Sequence, residues 1–429
     1  MNSNIKLRLT VMNFLEFAVW GAYLTSMGRY LAGAGMATEI GSFYAMQGIV
    51  SLFMPALMGI VADRWIPAQR LLGLCHMVAG LLMIGAWWYT GQEGFSPTGL
   101  FALYTLSVAF YMPTLALSNS VAYTVLEQSG EDLIKAFPPI RVFGTVGFIC
   151  MMLVVSFLGL ESTSGQFLAS GLVGLLLFGY TFTLPHCPTS PAGESKGLVE
   201  ALGLRAFTLF RQPKMALFFV FSMLLGVSLQ ITNGFANPFL GDFGGIAEYA
   251  DTFGVKYSNV LIALSQASET LCILLIPFAL KRFGIRNVML IAMLAWALRF
   301  GFLGLGNPGD GVWLFLLSML VYGVAFDFFN VSGSLFVDKE TDAGIRSSAQ
   351  GLFMIMTNGI GATIGSLAAG AVTNHFVQSQ TDAMARMAGW QTSWFIFAGY
   401  ALVVAVLFAL VFRYKDTPSE TSATSKSSH

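Results

Sequence analysis

Long runs of uncharged, mostly apolar residues recur along the chain, separated by polar segments that hold most of its charges. A helix needs about 20 such residues to cross the ~30 Å hydrocarbon core of a bilayer. Sorted by length, the runs predict twelve spans, starting near Leu9, Gly41, Leu71, Gly99, Val142, Gln166, Met215, Tyr257, Val288, Gly311, Ser347 and Gln391. The expected fold class is therefore an all-α membrane protein with twelve transmembrane helices. Composition agrees, with 10% charged residues, 55% hydrophobic residues and a mean hydropathy of +0.70. The first run has no small-residue cleavage site and continues as a full-length helix, so it reads as a span and not as a signal peptide.

An even number of spans puts both termini on one side, and short cytoplasmic loops retain Lys and Arg. With cytoplasmic termini, that side holds 18 of the 22 cations; the other side holds only Arg29, Lys256 and Arg386, and Arg299 falls inside a span. The longest polar connection between spans runs from Pro185 to Gln212 and contains Pro188, Pro191, Lys196, Arg205 and Arg211. It divides the chain into an N-terminal six-helix bundle (1–184), a cytoplasmic linker (185–213) and a C-terminal six-helix bundle (214–415). The Ser/Thr-rich segment 416–429 is expected to be a disordered tail. Weak internal repetition supports the division. Val108-Ala-Phe-Tyr111 returns as Val324-Ala-Phe-Asp327 at an offset of 216, and the turn Asp63-Arg-Trp65 returns as Lys281-Arg-Phe283 at an offset of 218. Two six-helix repeats joined by a central linker are the plan of parallel-repeat transporters.

Two carboxylates stand out against this background. Glu269 is the only charge between Ser258 and Pro277, and Asp327 the only one between Gly311 and Val337. An ionisable group at bilayer depth is costly and marks a functional site by default. Gln230 and Asn233 are three residues apart on span seven, and Gln266 and Glu269 three apart on span eight, so each pair projects from one helical face. Amides donate and accept together, which suits a ligand whose edge alternates donors and acceptors. Tyr322 and Phe326, four apart on span ten, form an aromatic face on which a flat ring could stack. Each feature also has a plainer reading: interhelical amide bonds for the first and core packing for the aromatics. Arg299, near the outer end of span nine, reads as a structural residue that snorkels to the interface. Glu16 reads as structural or gating, and His76, His186 and His375 as interfacial polar residues. Gly361 and Gly365 in span eleven permit close helix packing. Cys75, Cys150, Cys187 and Cys272 lack metal-ligand spacing and read as small apolar packing residues. No phosphate-binding loop, HExxH motif or basic aromatic patch is found, which argues against nucleotide hydrolysis, metalloprotease chemistry and nucleic-acid binding. No nucleophile, base and oxyanion donor can be assembled, so an enzyme is not expected.

The turn Gly59-Ile-Val-Ala-Asp63-Arg64-Trp65, followed by Gln69-Arg70, resembles the loop signature of the major facilitator superfamily, in which Asp63 and Arg64 would act as a cytoplasmic gate. More specific are Phe137-Pro-Pro-Ile-Arg141-Val-Phe143-Gly-Thr145-Val-Gly-Phe148, Gln230-Ile-Thr-Asn233, Ser265-Gln266-Ala-Ser-Glu269-Thr270 and Tyr322-Gly-Val-Ala-Phe326-Asp327-Phe-Phe-Asn330. With Phe53-Met-Pro-Ala and Tyr111-Met-Pro-Thr, they resemble the bacterial nucleoside:proton symporter family from span one through span twelve. The resemblance implies a major facilitator fold with a nucleoside bound between the bundles, and it adds Arg141, Phe143 and Thr145 to the site as the contribution of the N-terminal half. It also implies that a neutral amide is accepted in place of Glu16.

Together these readings predict a proton-coupled nucleoside importer of a bacterial inner membrane, lipid-embedded, monomeric and without cofactor or metal. Binding is expected at Arg141, Phe143, Thr145, Gln230, Asn233, Gln266, Glu269, Tyr322 and Phe326. Proton coupling is expected at Asp327 or Glu269, since burial disfavours a charged carboxyl and brings its proton exchange toward neutral pH. The rival readings are a sugar or oligosaccharide:proton symporter and a nucleoside receptor that transports nothing.

Overall fold

Backbone groups that enter hydrocarbon must be hydrogen-bonded within their own segment, and this chain meets that demand with helices. The computed structural model describes residues 2–189, 204–342 and 345–414, and these contain no strand. Residues 190–203 of the expected linker and the whole expected tail lie outside the described residues. The first half holds α1 (Asn2–Gly21), α2 (Met27–Gly33), α3 (Ile40–Ser51), α4 (Met54–Arg64), α5 (Ala68–Thr90), α6 (Pro97–Gln128), α7 (Leu133–Phe157) and α8 (Gly165–Thr181). The second half holds α9 (Pro213–Leu229), α10 (Ile231–Asp242), α11 (Phe253–Lys256), α12 (Ser258–Ile273), α13 (Ile276–Leu305), α14 (Val312–Glu340), α15 (Arg346–Met354), α16 (Ala362–Thr373) and α17 (Ala383–Val411). Nine helical stretches among the described residues are long and apolar enough to cross a membrane, and Gly165–Thr181 is a shorter apolar helix.

Several expected spans are interrupted, and local chemistry says where. Span two breaks at Phe53 (φ −133°), with Pro55 opening α4. Span seven breaks at Gln230, which ends α9 and begins α10. Span eleven passes through a π-helical stretch, Ile355–Gly361. The α13 stretch reverses at Gly284, whose φ of 74° lies in the left-handed region that glycine enters without a Cβ clash, and this is the turn between the expected eighth and ninth spans. At the start of α6, Ser96 accepts from the Gly99 amide and Pro97 occupies the first turn, so the helix begins with its free donors partly satisfied.

Helices of each half pack chiefly on one another: α1 on α7 and α8 and α5 on α6 and α8 in the first, α13 on α14 and α17 and α12 on α14 in the second. The halves meet along α3 with α16, α7 with α12 and α2 with α10. Small residues allow the closest approaches. A Cβ on Gly41 would stand 2.6 Å from the Ser366 carbonyl of α16. Gly365 lies against the backbone of Val227, and Gly361 against Met223 and Gly226 of α9.

Arg8 donates to the Thr183 carbonyl at 2.8 Å, which sets the start of α1 beside the linker and the α1–α2 turn on the opposite, distal side. There a buried polar network joins the halves. Glu161, between α7 and α8, accepts from Asn237 of α10 at 3.0 Å and from the Asn259 amide of α12 at 3.2 Å, and Ser156 also donates to it. Thr25 donates to Asn259 at 2.9 Å. Arg29 donates to the Val255 carbonyl at 2.9 Å and to Ser258 at 3.0 Å, with Glu161 at 3.6 Å. On the linker side α4 has no fully buried residue and packs chiefly on α6 of its own half.

Close packing makes one substitution diagnostic. Gly365→Leu forces side-chain atoms into the Val227 backbone and should destabilise the protein by about 3 kcal/mol, whereas Gly399→Leu, with open space at its Cβ position, should be neutral. Thermal unfolding of both variants in detergent checks the contrast.

Candidate functional site

Arg141 and Glu269 lie on α7 and α12, two helices that meet where the halves touch. On α7, the Arg141 guanidinium sits 4.1 Å from the Phe17 ring centroid and within electrostatic range of Glu269 on α12. Thr145 lies one turn along the same face and is half-buried. Phe143 does not join them. It is 46% exposed, on a stripe with Val146, Val154 and Phe157, about 200° around the helix from Arg141. The aromatic that α7 turns inward is Phe148, which is buried and packs edge-on against Trp20 at 6.2 Å.

At the break in span seven, Asn233 donates to Gln230 at 2.7 Å, and Gln230 donates to Gln47 of α3 at 3.4 Å. Gln47 in turn donates to Tyr104 at 2.9 Å. Gln230 therefore ties the halves together, as the structural reading of this amide expects. Gln47 is a buried amide, missed from the sequence, that meets the expected binding residue Gln230 of the other half; its signal is a lone Gln in the apolar run that begins near Gly41.

Gln266 and Glu269 share one face of α12 and are half-buried. The Tyr322 and Phe326 rings stack with centroids 5.6 Å apart and an interplanar angle of 14°. Asp327 is 6% exposed, and its Oδ2 has no hydrogen-bond partner among the described residues. Arg141, Glu269 and Asp327 act on one another electrostatically, so one cation from the first half faces two carboxylates from the second. Such a cluster can hold one proton, since one guanidinium offsets only one of the two carboxylates.

Other expected residues fall elsewhere. Asp63 and Arg64 end α4 on the linker side, away from the cluster. Glu16 is fully buried: it meets His76 at 2.7 Å and Thr114 at 2.5 Å, and the Tyr111 hydroxyl donates to its backbone carbonyl at 3.0 Å. His76 is thus no interfacial residue, because the only strong partner for its ring is a carboxylate in the core. Arg299 does not snorkel either. It is 2% exposed, and its guanidinium turns inward to donate to the Ser318 carbonyl at 2.7 Å and to Ser265 at 3.3 Å. No group of three His, Cys, Asp or Glu residues among the described residues could hold a metal ion.

Helices that cross a membrane, two halves and a charged cluster buried between them define a polytopic membrane transporter. Residues 3–417 match the family model described as nucleoside H+ symporter, and the chain belongs to that family of transporters, which are not enzymes. It is 49% identical over 423 residues to the xanthosine permease of Escherichia coli, covering 97% of this chain and 98% of that protein. It is 43% identical over 416 residues to the E. coli nucleoside permease NupG, covering 96% and 97%. A crystal structure of nucleoside transporter NupG superposes with a TM-score of 0.87 over 96% of this chain and 100% of the other. A crystal structure of tetrameric PepTSo2, at 12% identity and a TM-score of 0.67, shares the fold alone.

The amides yield a direct expectation. Gln266→Ala and Asn233→Ala should each weaken ligand binding at least fivefold while the protein stays folded, at about 1 kcal/mol per lost hydrogen bond. Calorimetric titration of purified variants measures this, and binding within twofold of the parent for both would remove these amides from the site.

Proposed function

We propose that this chain is a twelve-span, two-bundle importer of the bacterial inner membrane, with both termini cytoplasmic. It works as a monomer and moves nucleosides together with protons by alternating access. The spans are the nine long helical stretches, α8, and the two assembled from α1–α2 and from α12 with the start of α13. Membership of the nucleoside H+ symporter family supports the substrate pair. The observation that carries the mechanism is the Arg141 cation of one half set against Glu269 and Asp327 of the other.

With both carboxylates ionised, the cluster carries a net negative charge in a low-dielectric site, and one added proton restores neutrality. Glu269 pairs with Arg141 and accepts from a ribose hydroxyl. Asp327, whose Oδ2 lacks a donor, takes the proton. Gln266 and Asn233 read the donor and acceptor edge of the base or sugar. Opening the distal network while closing the linker side would present the cluster to the other face of the membrane.

Asp327→Asn imitates the permanently protonated acid. Nucleoside exchange across proteoliposome membranes should persist, and accumulation driven by an imposed pH gradient should fall to background. Undiminished accumulation would exclude Asp327 as the proton site, and loss of exchange as well would recast it as a binding residue. Competition of labelled uridine uptake by nucleosides and by free sugars, in the same vesicles, separates this reading from that of a sugar symporter.

A further inference from the structure

Arg299 is a fully buried cation whose hydrogen-bond partners among the described residues are uncharged: the Ser318 carbonyl, Ser265 and the Met319 sulfur. Its guanidinium carbon also lies 4.6 Å from the Tyr322 ring centroid. Tyr322 is buried, with Trp296 edge-on to it at 5.9 Å and Phe326 stacked at 5.6 Å. Arg299 bonds to Ser318, one turn distal of Tyr322 on α14, whereas Phe326 lies one turn toward the linker. Guanidinium and phenyl ring therefore cover opposite faces of the phenol. The result is a column running along α14 in the order Arg299, Tyr322, Phe326, in which only Phe326 is more than marginally exposed.

We propose that Arg299 is a positioning residue for substrate recognition: it braces Tyr322 from behind by a cation–π contact, and through Tyr322 it fixes the Phe326 ring as the surface on which the nucleobase stacks. This rests on the nucleoside reading above and deepens it. With both faces covered, Tyr322 leaves stacking to Phe326. A cation–π contact is strengthened where water is excluded, and a planar guanidinium suits a ring face better than an ammonium does. A charge at this depth otherwise only burdens the fold.

The test is uridine binding by calorimetry with Arg299→Met, Arg299→Lys, Phe326→Leu and the double variant Arg299→Met/Phe326→Leu. Arg299→Met should weaken binding about tenfold and Arg299→Lys should recover part of that loss. The double variant should bind no worse than Phe326→Leu alone, because both act through one surface. Independent, additive losses, or Arg299→Met binding within twofold of the parent, would overturn the proposal. Unchanged binding by Phe326→Leu would instead overturn the stacking reading of the site. Should Arg299→Met fail to fold, Arg299→Lys against Phe326→Leu gives the same cycle with a smaller expected loss of about threefold.

Discussion

One guanidinium within electrostatic range of two carboxylates of the other half, in a low-dielectric space, is the interaction on which the rest of this structure depends. Arg141 comes from α7 of the first half, Glu269 and Asp327 from α12 and α14 of the second. None of the three could remain ionised at bilayer depth without the others, and together they remain one positive charge short of neutrality. That deficit is a reason for a proton to bind and for the two halves to stay in electrostatic contact. It also explains why polar side chains of an otherwise apolar chain gather at the breaks in its helices. An interrupted helix frees backbone and side-chain groups where a polar ligand needs them, and Gln230 occupies such a break.

Around that centre the two faces of the molecule are built differently. The distal face is closed by hydrogen bonds that cross between halves, with Glu161 at their middle and Arg29, Thr25, Asn237 and Asn259 around it. Glycine-lined contacts let α3 and α16 approach closely without side chains interlocking. The pair of Glu16 and His76 lies wholly within the first half and holds α1 to α5.

Much of this was legible in the sequence, for physical reasons. Charges in hydrocarbon are rare enough that Glu269 and Asp327 announced themselves, and helical spacing placed Gln266 with Glu269 and Tyr322 with Phe326 on shared faces. The family resemblance supplied Arg141 and Thr145, which spacing alone leaves indistinguishable from a cytoplasmic anchor and a neutral helix residue. The failures are of one kind. Phe143 was assigned by its place in a motif, although about 200° of helix separates it from Arg141. Arg299 was read as snorkelling because sequence gives depth along a helix and not direction around it. Gln47 meets Gln230 across 183 positions and Glu161 meets Asn237 across 76, and no local pattern encodes such contacts.

The account stands on the claim that the cleft between the halves is exposed to one face of the membrane at a time. Thr25 and Asn259 touch across the distal interface, so cysteines at both positions should form a disulfide on oxidation. Uptake by cells or vesicles carrying Thr25→Cys/Asn259→Cys, measured before and after oxidation and again after reduction, tests the claim most directly. The account predicts that oxidation abolishes uptake, that reduction restores it, and that nucleoside binding to the oxidised, purified protein is retained from the linker side. Continued uptake by fully cross-linked protein would contradict it.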